Sequence, residues 1–121
     1  MTLTNFAEET ITALHRNSYN IHDIAWIGNH EYAVPIQEFF DVALRTNYNK
    51  DAYGSPLAIP MDLFIVMKDG SYFERREYDG SERWEYIPVI KRPYKETHFN
   101  CKSFADVDIK YNTPCLEYYI I

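Results

Sequence analysis

Two Asp-Gly pairs set ten residues apart, Asp69-Gly70 and Asp79-Gly80, constrain this chain more than any other feature of it. Between strand-forming runs, Asp-Gly favours a two-residue type I′ loop, which needs positive φ at both central positions. Glycine adopts that conformation freely and aspartate tolerates it, and the loop's twist matches that of the strands it joins. The runs 63–68, 71–78 and 81–87 are therefore expected to form an antiparallel three-stranded meander. Leu63, Ile65 and Met67 share one side of the first run, and Phe64 and Val66 the other. Both its faces are apolar, so it belongs inside a sheet. In the next two runs Phe73, Arg75 and Glu77 alternate with Tyr72, Glu74, Arg76 and Tyr78, and Trp84 and Tyr86 alternate with Arg83, Glu85 and Ile87. Arg75, Arg76, Arg83, Glu74, Glu77 and Glu85 are expected to pair across strands on a solvated face.

Upstream, Thr4-Asn5-Phe6-Ala7-Glu8 has the pattern of a helix start, with Asn5 as N-cap and Glu8 able to complete a capping box. Phe6, Thr10, Ala13 and Leu14 recur at helical spacing, with Glu8, Glu9 and Arg16 expected to face outward. Residues 21–27 read as a strand ended by Gly28-Asn29, and a short strand is expected at 31–34. Pro35 suits the first position of a second helix whose apolar stripe is Ile36, Phe39, Phe40, Ala43 and Leu44, ending near Thr46-Asn47. Residues 48–60 form a breaker-rich loop carrying Tyr48 and Tyr53, and a loop of that length in a small domain suggests binding.

These elements predict a single α+β domain over residues 1–121, with two helices packed on an antiparallel sheet centred on the meander. The body extends through residue 93. Residues 94–121 read as a C-terminal extension folded as a hairpin, with strands at 104–111 and 116–121.

Eighteen acidic residues against twelve basic give a net charge of −6, so direct nucleic-acid binding is not expected. Residues 1–67 hold eight acids and only Arg16, Arg45 and Lys50 as bases, a balance suited to a basic protein partner. The basic cluster Lys91-Arg92-Pro93-Tyr94-Lys95 reads as a solvated linker. Aromatic residues make up 17% of the chain, most of them tyrosine, which fits a core with wet edges or a recognition surface. Apolar stretches are too short to span a bilayer and no secretory pattern is visible, so a cytoplasmic protein with no membrane contact is expected.

The one potential metal constellation is His98, Cys101 and Cys115, an imidazole and two thiolates that would meet a structural zinc if a hairpin returned Cys115 to the first pair. The fourth ligand would come from His22, His30, Asp106 or Asp108. No phosphate-binding loop, nucleophile elbow or His-Glu-x-x-His is present, so no catalytic residues are assigned and an enzyme is not expected.

The run from Asp69 to Tyr86, centred on Glu77-Tyr78-Asp79-Gly80-Ser81-Glu82, resembles a segment shared by a family of small uncharacterised phage and prophage proteins. Asp23-Ile24-Ala25-Trp26-Ile27-Gly28, Tyr53-Gly54 and Asp62-Leu63-Phe64-Ile65-Val66 extend the likeness over residues 21–93. Where the family pattern has two aromatics after Ser-Glu, this chain has Arg83 and then Trp84. The resemblance implies a phage accessory protein of anti-CRISPR type, working in the cytoplasm of the infected host. Its expected action is to inhibit a host defence (CRISPR) nuclease by occupying a basic surface, with Glu31, Glu38, Asp41, Asp51, Tyr48 and Tyr53 making the contact. The alternatives are a small metal-dependent nucleic-acid enzyme using the meander carboxylates, and a phage assembly component.

Overall fold

The computed structural model describes residues 2–52, 57–106 and 115–121, which fall into two units, residues 1–89 and 90–121. The first unit runs β1 (Thr4–Asn5), α1 (Phe6–Arg16), β2 (Ile24–Gly28), β3 (Ala33–Val34), α2 (Ile36–Leu44), β4 (Asn47–Tyr48), β5 (Phe64–Met67), β6 (Tyr72–Tyr78) and β7 (Ser81–Ile87). A five-stranded antiparallel sheet has the order β3-β2-β5-β6-β7, and β1 pairs separately with β4. This is the α+β arrangement that the sequence indicates. β5 is central, as its two apolar faces require.

Asn5 fixes how the helices start and stop. Its side-chain oxygen accepts the Glu8 N–H at 3.1 Å, while its amide donates to Leu44 O at 3.0 Å and to Asn47 Oδ1 at 3.1 Å. One side chain thus caps α1 and ties it to the C-terminal end of α2. The α1 C-terminus closes with Ser18 left-handed at φ 65°, the Tyr19 N–H reaching Leu14 O and the Ser18 N–H reaching His15 O. That is a Schellman closure with serine where glycine is usual.

The two Asp-Gly turns differ. Asp79 (φ 51°) and Gly80 (φ 84°) are both left-handed, and Tyr78 pairs with Ser81 across them, as a type I′ loop requires. At the first turn only Gly70 is left-handed, at φ 91°. There the Gly70 N–H donates to Met67 O and the Met67 N–H to Ser71 O, which makes a three-residue loop ending in glycine. Asp69 is held out of the left-handed region because its carboxylate accepts the Ser71 N–H at 2.9 Å and the Tyr19 hydroxyl at 2.6 Å.

Three boundaries also move. Ile21–Asp23 is a 3-10 turn rather than the start of a strand, because Asn20 and Asp23 cap it reciprocally. The second short strand covers only Ala33–Val34, and Pro35 is the N-cap of α2 rather than its first residue.

One sheet face packs on the helices. Ile24, Ile27, Ile65, Met67, Phe73 and Trp84 are buried there with Phe6, Leu14, Phe39 and Ala43 of α1 and α2. Full burial of such a side chain is worth about 1.5–3 kcal/mol before ordering costs. On the other face Phe64 and Tyr72 meet at 6.0 Å, and Arg76 bridges Glu74 at 2.7 Å and Glu85 at 3.2 Å. Glu74 and Glu85 lie directly opposite one another, so Arg76 relieves a like-charge pair.

In the second unit Phe99 and Ile120 form an isolated antiparallel bridge, flanked by Asn100 N–H to Tyr119 O and Ile121 N–H to His98 O. Phe104–Asp106 and Leu116–Tyr119 are 3-10 turns. The expected hairpin strands are therefore not formed at 104–106 or 116–119, and residues 107–114 lie outside the described residues. Phe104 packs instead on Phe99 and Tyr119, at 5.4 and 5.2 Å. Arg92, in the basic cluster, pairs with Glu96 at 2.6 Å, both well exposed. No helix among the described residues is long and apolar enough to cross a membrane.

Candidate functional site

Arg75 departs furthest from its expected place. It occupies the helix-covered side of β6, and its side chain has no exposed surface. Its guanidinium donates to Glu9 Oε2 at 3.1 Å and to the Tyr48 hydroxyl at 3.0 Å, and lies over the rings of Phe6 and Trp84 at 5.1 and 4.8 Å. Glu82 stands 4.0 Å away, its carboxylate accepting the backbone N–H groups of Ala58 and Ile59. Trp84 donates to Thr10 Oγ1 at 2.9 Å, and Thr10 in turn donates to Phe6 O. Such a charge is tolerated in a core because it is paired, hydrogen-bonded and stacked on rings. Arg75 Nε alone has no partner among the described residues.

Three expectations are corrected by this network. Arg75 is not on the solvated face, Glu9 turns inward, and Tyr48 is buried rather than displayed on a binding loop. Tyr48 belongs to β4, where its hydroxyl donates to Glu9 Oε1 at 2.5 Å. Burial first, and then the Glu9 carboxylate, push its phenol above its ordinary range.

At the surface, over the core residues Phe39 and Ile59, α2 and the segment before β5 border an apolar groove of about 380 Å³. Val34, Phe39, Val42, Ile59, Pro60 and Leu63 line it, and Glu38 supplies a carboxylate at its wall. Val42 is 53% exposed and Tyr32, two residues before Val34, is 69% exposed. Glu38 and Asp41 are exposed at i,i+3 on α2 and so share a side of the helix, with Gln37 donating to Asp41 at 2.9 Å. Glu31 is exposed in the β2–β3 turn, where its N–H is held by Asn29 Oδ1. Asp51 accepts the Ser81 hydroxyl at 2.8 Å, which commits it to the β6–β7 turn and away from this groove. Tyr53 lies outside the described residues.

Val34 and Val42 are contributors that the sequence pattern misses. Val42 falls outside the 36/39/40/43/44 stripe, and a valine off the core stripe of a helix is the signal that marks a second apolar side.

The zinc set is not assembled. His98 and Cys115 are exposed and both cysteines are free thiols, and among the described residues no three His, Cys, Asp or Glu side chains come together to hold a metal ion. Backbone pairing of residues 98–100 with 119–121 sets the register there, and Cys115 stands at the head of a 3-10 turn. Asp108 lies outside the described residues. The meander carboxylates are engaged too: Glu74 pairs with Arg76, and Glu77 accepts the Gly80 N–H at 2.6 Å.

No protein-family model matches this chain, and no curated protein or solved structure matches it.

Proposed function

We infer that this is a binding protein that docks on a basic protein surface through α2, with the apolar groove taking a side chain of the partner and Glu38 and Asp41 meeting its cations. The observation that carries the reading is the groove itself, an exposed apolar cleft with Glu38 in its lining and Asp41 one turn on, on a chain of net charge −6. An apolar anchor in a cleft with a charged rim is how protein interfaces concentrate affinity, while the rim charges steer encounter and choose the partner. The resemblance to phage proteins gives the partner its class, a host defence nuclease of CRISPR type, inhibited by occupation of its basic surface.

The test is DNA cleavage by a panel of purified CRISPR effector nucleases with and without the protein. One nuclease should be inhibited at stoichiometric protein. The variant Glu38→Lys/Asp41→Lys/Val42→Glu, with its melting temperature kept, should lose about 30-fold or more in potency, as loss of one hot spot implies. Full inhibition by the variant, or none across the panel, would refute the assignment.

A further inference from the structure

A second surface, separate from the α2 groove, lies along the free edge of the sheet. β7 has a strand neighbour on one side only. The Glu82 N–H points away from β6 and donates to Lys50 O at 2.7 Å, and since backbone groups alternate along a strand, Trp84 and Tyr86 point the same way. No described residue accepts the N–H of Trp84 or of Tyr86. Lys50 O thus fills one outward position of the edge, and the next two are unfilled among the described residues.

Beside this edge runs a cleft of about 450 Å³, with Glu8, Thr12 and Arg16 of α1 on one wall and Lys50, Arg83 and Trp84 on the other. Arg16, Lys50 and Arg83 have no ion-pair partner among the described residues. Glu9 also reaches the cleft, but its charge is answered by Arg75. Two unanswered cations, Arg16 and Lys50, thus border the edge on its helix side and Arg83, which alternates with Trp84, on its solvated side, against the single acid Glu8. The α1 stripe from Asn5 to Arg16 spans about 16 Å at ~1.5 Å per residue, which an extended segment of about five residues matches at ~3.3 Å each.

We propose that the α1–β7 cleft binds an extended acidic peptide, which adds as a strand to the β7 edge. Its backbone pairs with Trp84 and Tyr86, and its carboxylates meet Arg16, Lys50 and Arg83. Main-chain bonds supply affinity in this mode, and the alternating side chains supply selection. A free edge is also a hazard for self-association, and a flanking row of cations is one way to keep neutral strands away while admitting an acidic one.

The probe is a fluorescein-labelled hexapeptide, Glu-Glu-Val-Glu-Glu-Val, which carries glutamate on both faces when extended, followed by anisotropy on the intact protein, with amide exchange read at Trp84 and Tyr86. Saturable binding with slowed exchange at both amides is expected. N-methylation of alternate probe residues should weaken binding about tenfold or more, since two or three main-chain bonds are lost. Arg83→Glu should also weaken it about tenfold, whereas Glu38→Lys/Asp41→Lys should leave it unchanged, which separates this site from the α2 groove. Arg83 is exposed and lies opposite Arg76, so an acid there suits the sheet, and an unchanged melting temperature checks it. No saturable binding, equal binding of the N-methylated probe, or indifference to Arg83→Glu would overturn the proposal.

Discussion

Replacing Arg75 by methionine tests whether the buried ion network organises the first unit. The substitution keeps much of the side-chain volume and its contact with Phe6 and Trp84, but removes the partner of Glu9 Oε2 and of the Tyr48 hydroxyl. Glu9 is then left nearly buried, its side chain 12% exposed, with Tyr48 as its remaining donor, and Glu82 keeps only the two backbone amides. Breaking one side of a buried pair costs about 3–5 kcal/mol, chiefly because the surviving charge has no partner. Domains of this size have about 5–15 kcal/mol in all, so Arg75→Met should take away a large part of the stability.

The companion variant decides the cause. Glu9→Met in the Arg75→Met background removes the orphaned carboxylate, and apolar replacement of a whole buried pair is often neutral or better. The double variant should therefore recover at least about 2 kcal/mol over Arg75→Met. Urea unfolding followed by tryptophan fluorescence and far-UV circular dichroism reads both, with Trp84 reporting from inside the network. A cost below about 1 kcal/mol for the single variant, or a double variant no more stable than the single, would show that the network is not where the stability lies.

Three smaller perturbations follow from local geometry. Tyr48→Phe leaves one Arg75 nitrogen without its acceptor and should cost about 1–3 kcal/mol at neutral pH. Because the folded phenol titrates above its unfolded value, its contribution is whole below pH ~10 and is lost as the pH rises beyond that, so Tyr48→Phe should flatten the alkaline fall in a pH series of urea midpoints. Ser18→Gly relieves a left-handed serine at φ 65°, and calorimetry should show a gain of about 0.5–1 kcal/mol. At Gly28 a Cβ would overlap the Tyr32 carbonyl oxygen, so Gly28→Ala should destabilise by about 1–3 kcal/mol and raise amide exchange at Asn29, whose N–H donates to that oxygen.

Local chemistry was legible where one residue decides the outcome. Asn5 reads as a cap and is one, and Asp79-Gly80 reads as a type I′ loop and forms it. Asp69-Gly70 carries the same dipeptide, yet its carboxylate is held by the nearby Ser71 and also by Tyr19, fifty residues away in sequence, and no local pattern contains that second bond. Arg75 failed for the same reason. Its alternation with Phe73 placed it on the inward side, but charge argued for solvent, and the partners that make burial tolerable, Glu9 and Tyr48, come from α1 and β4. Of the candidate groove, Phe39 and Ala43 could be read from the α2 stripe and Glu38 from its acids, whereas Val34 and Val42 could not. Ile59, Pro60 and Leu63 reach α2 only through the tertiary path of the segment before β5.

The Arg75 network also bears on how the two candidate surfaces relate. Buried Arg, Glu and Tyr side chains in hydrogen-bond contact resemble an acid–base site on paper, but here their polar atoms point at one another. Glu9 and Tyr48 both spend their hydrogen bonds on Arg75 and on each other, and the rings of Phe6 and Trp84 flank the guanidinium. What the network does is clamp α1 to β6 and β7 at a fixed height, with Thr10 and Trp84 adding a second tie. That height sets the width of the cleft between α1 and the β7 edge, while Asn5, at the other side of the same helix start, holds the end of α2 whose flank forms the acidic groove. A loosened network should therefore disturb the cationic cleft first, because Glu9 and Trp84 line it directly, and reach the α2 groove through Phe6 and through Glu82, which holds the Ala58 and Ile59 N–H groups.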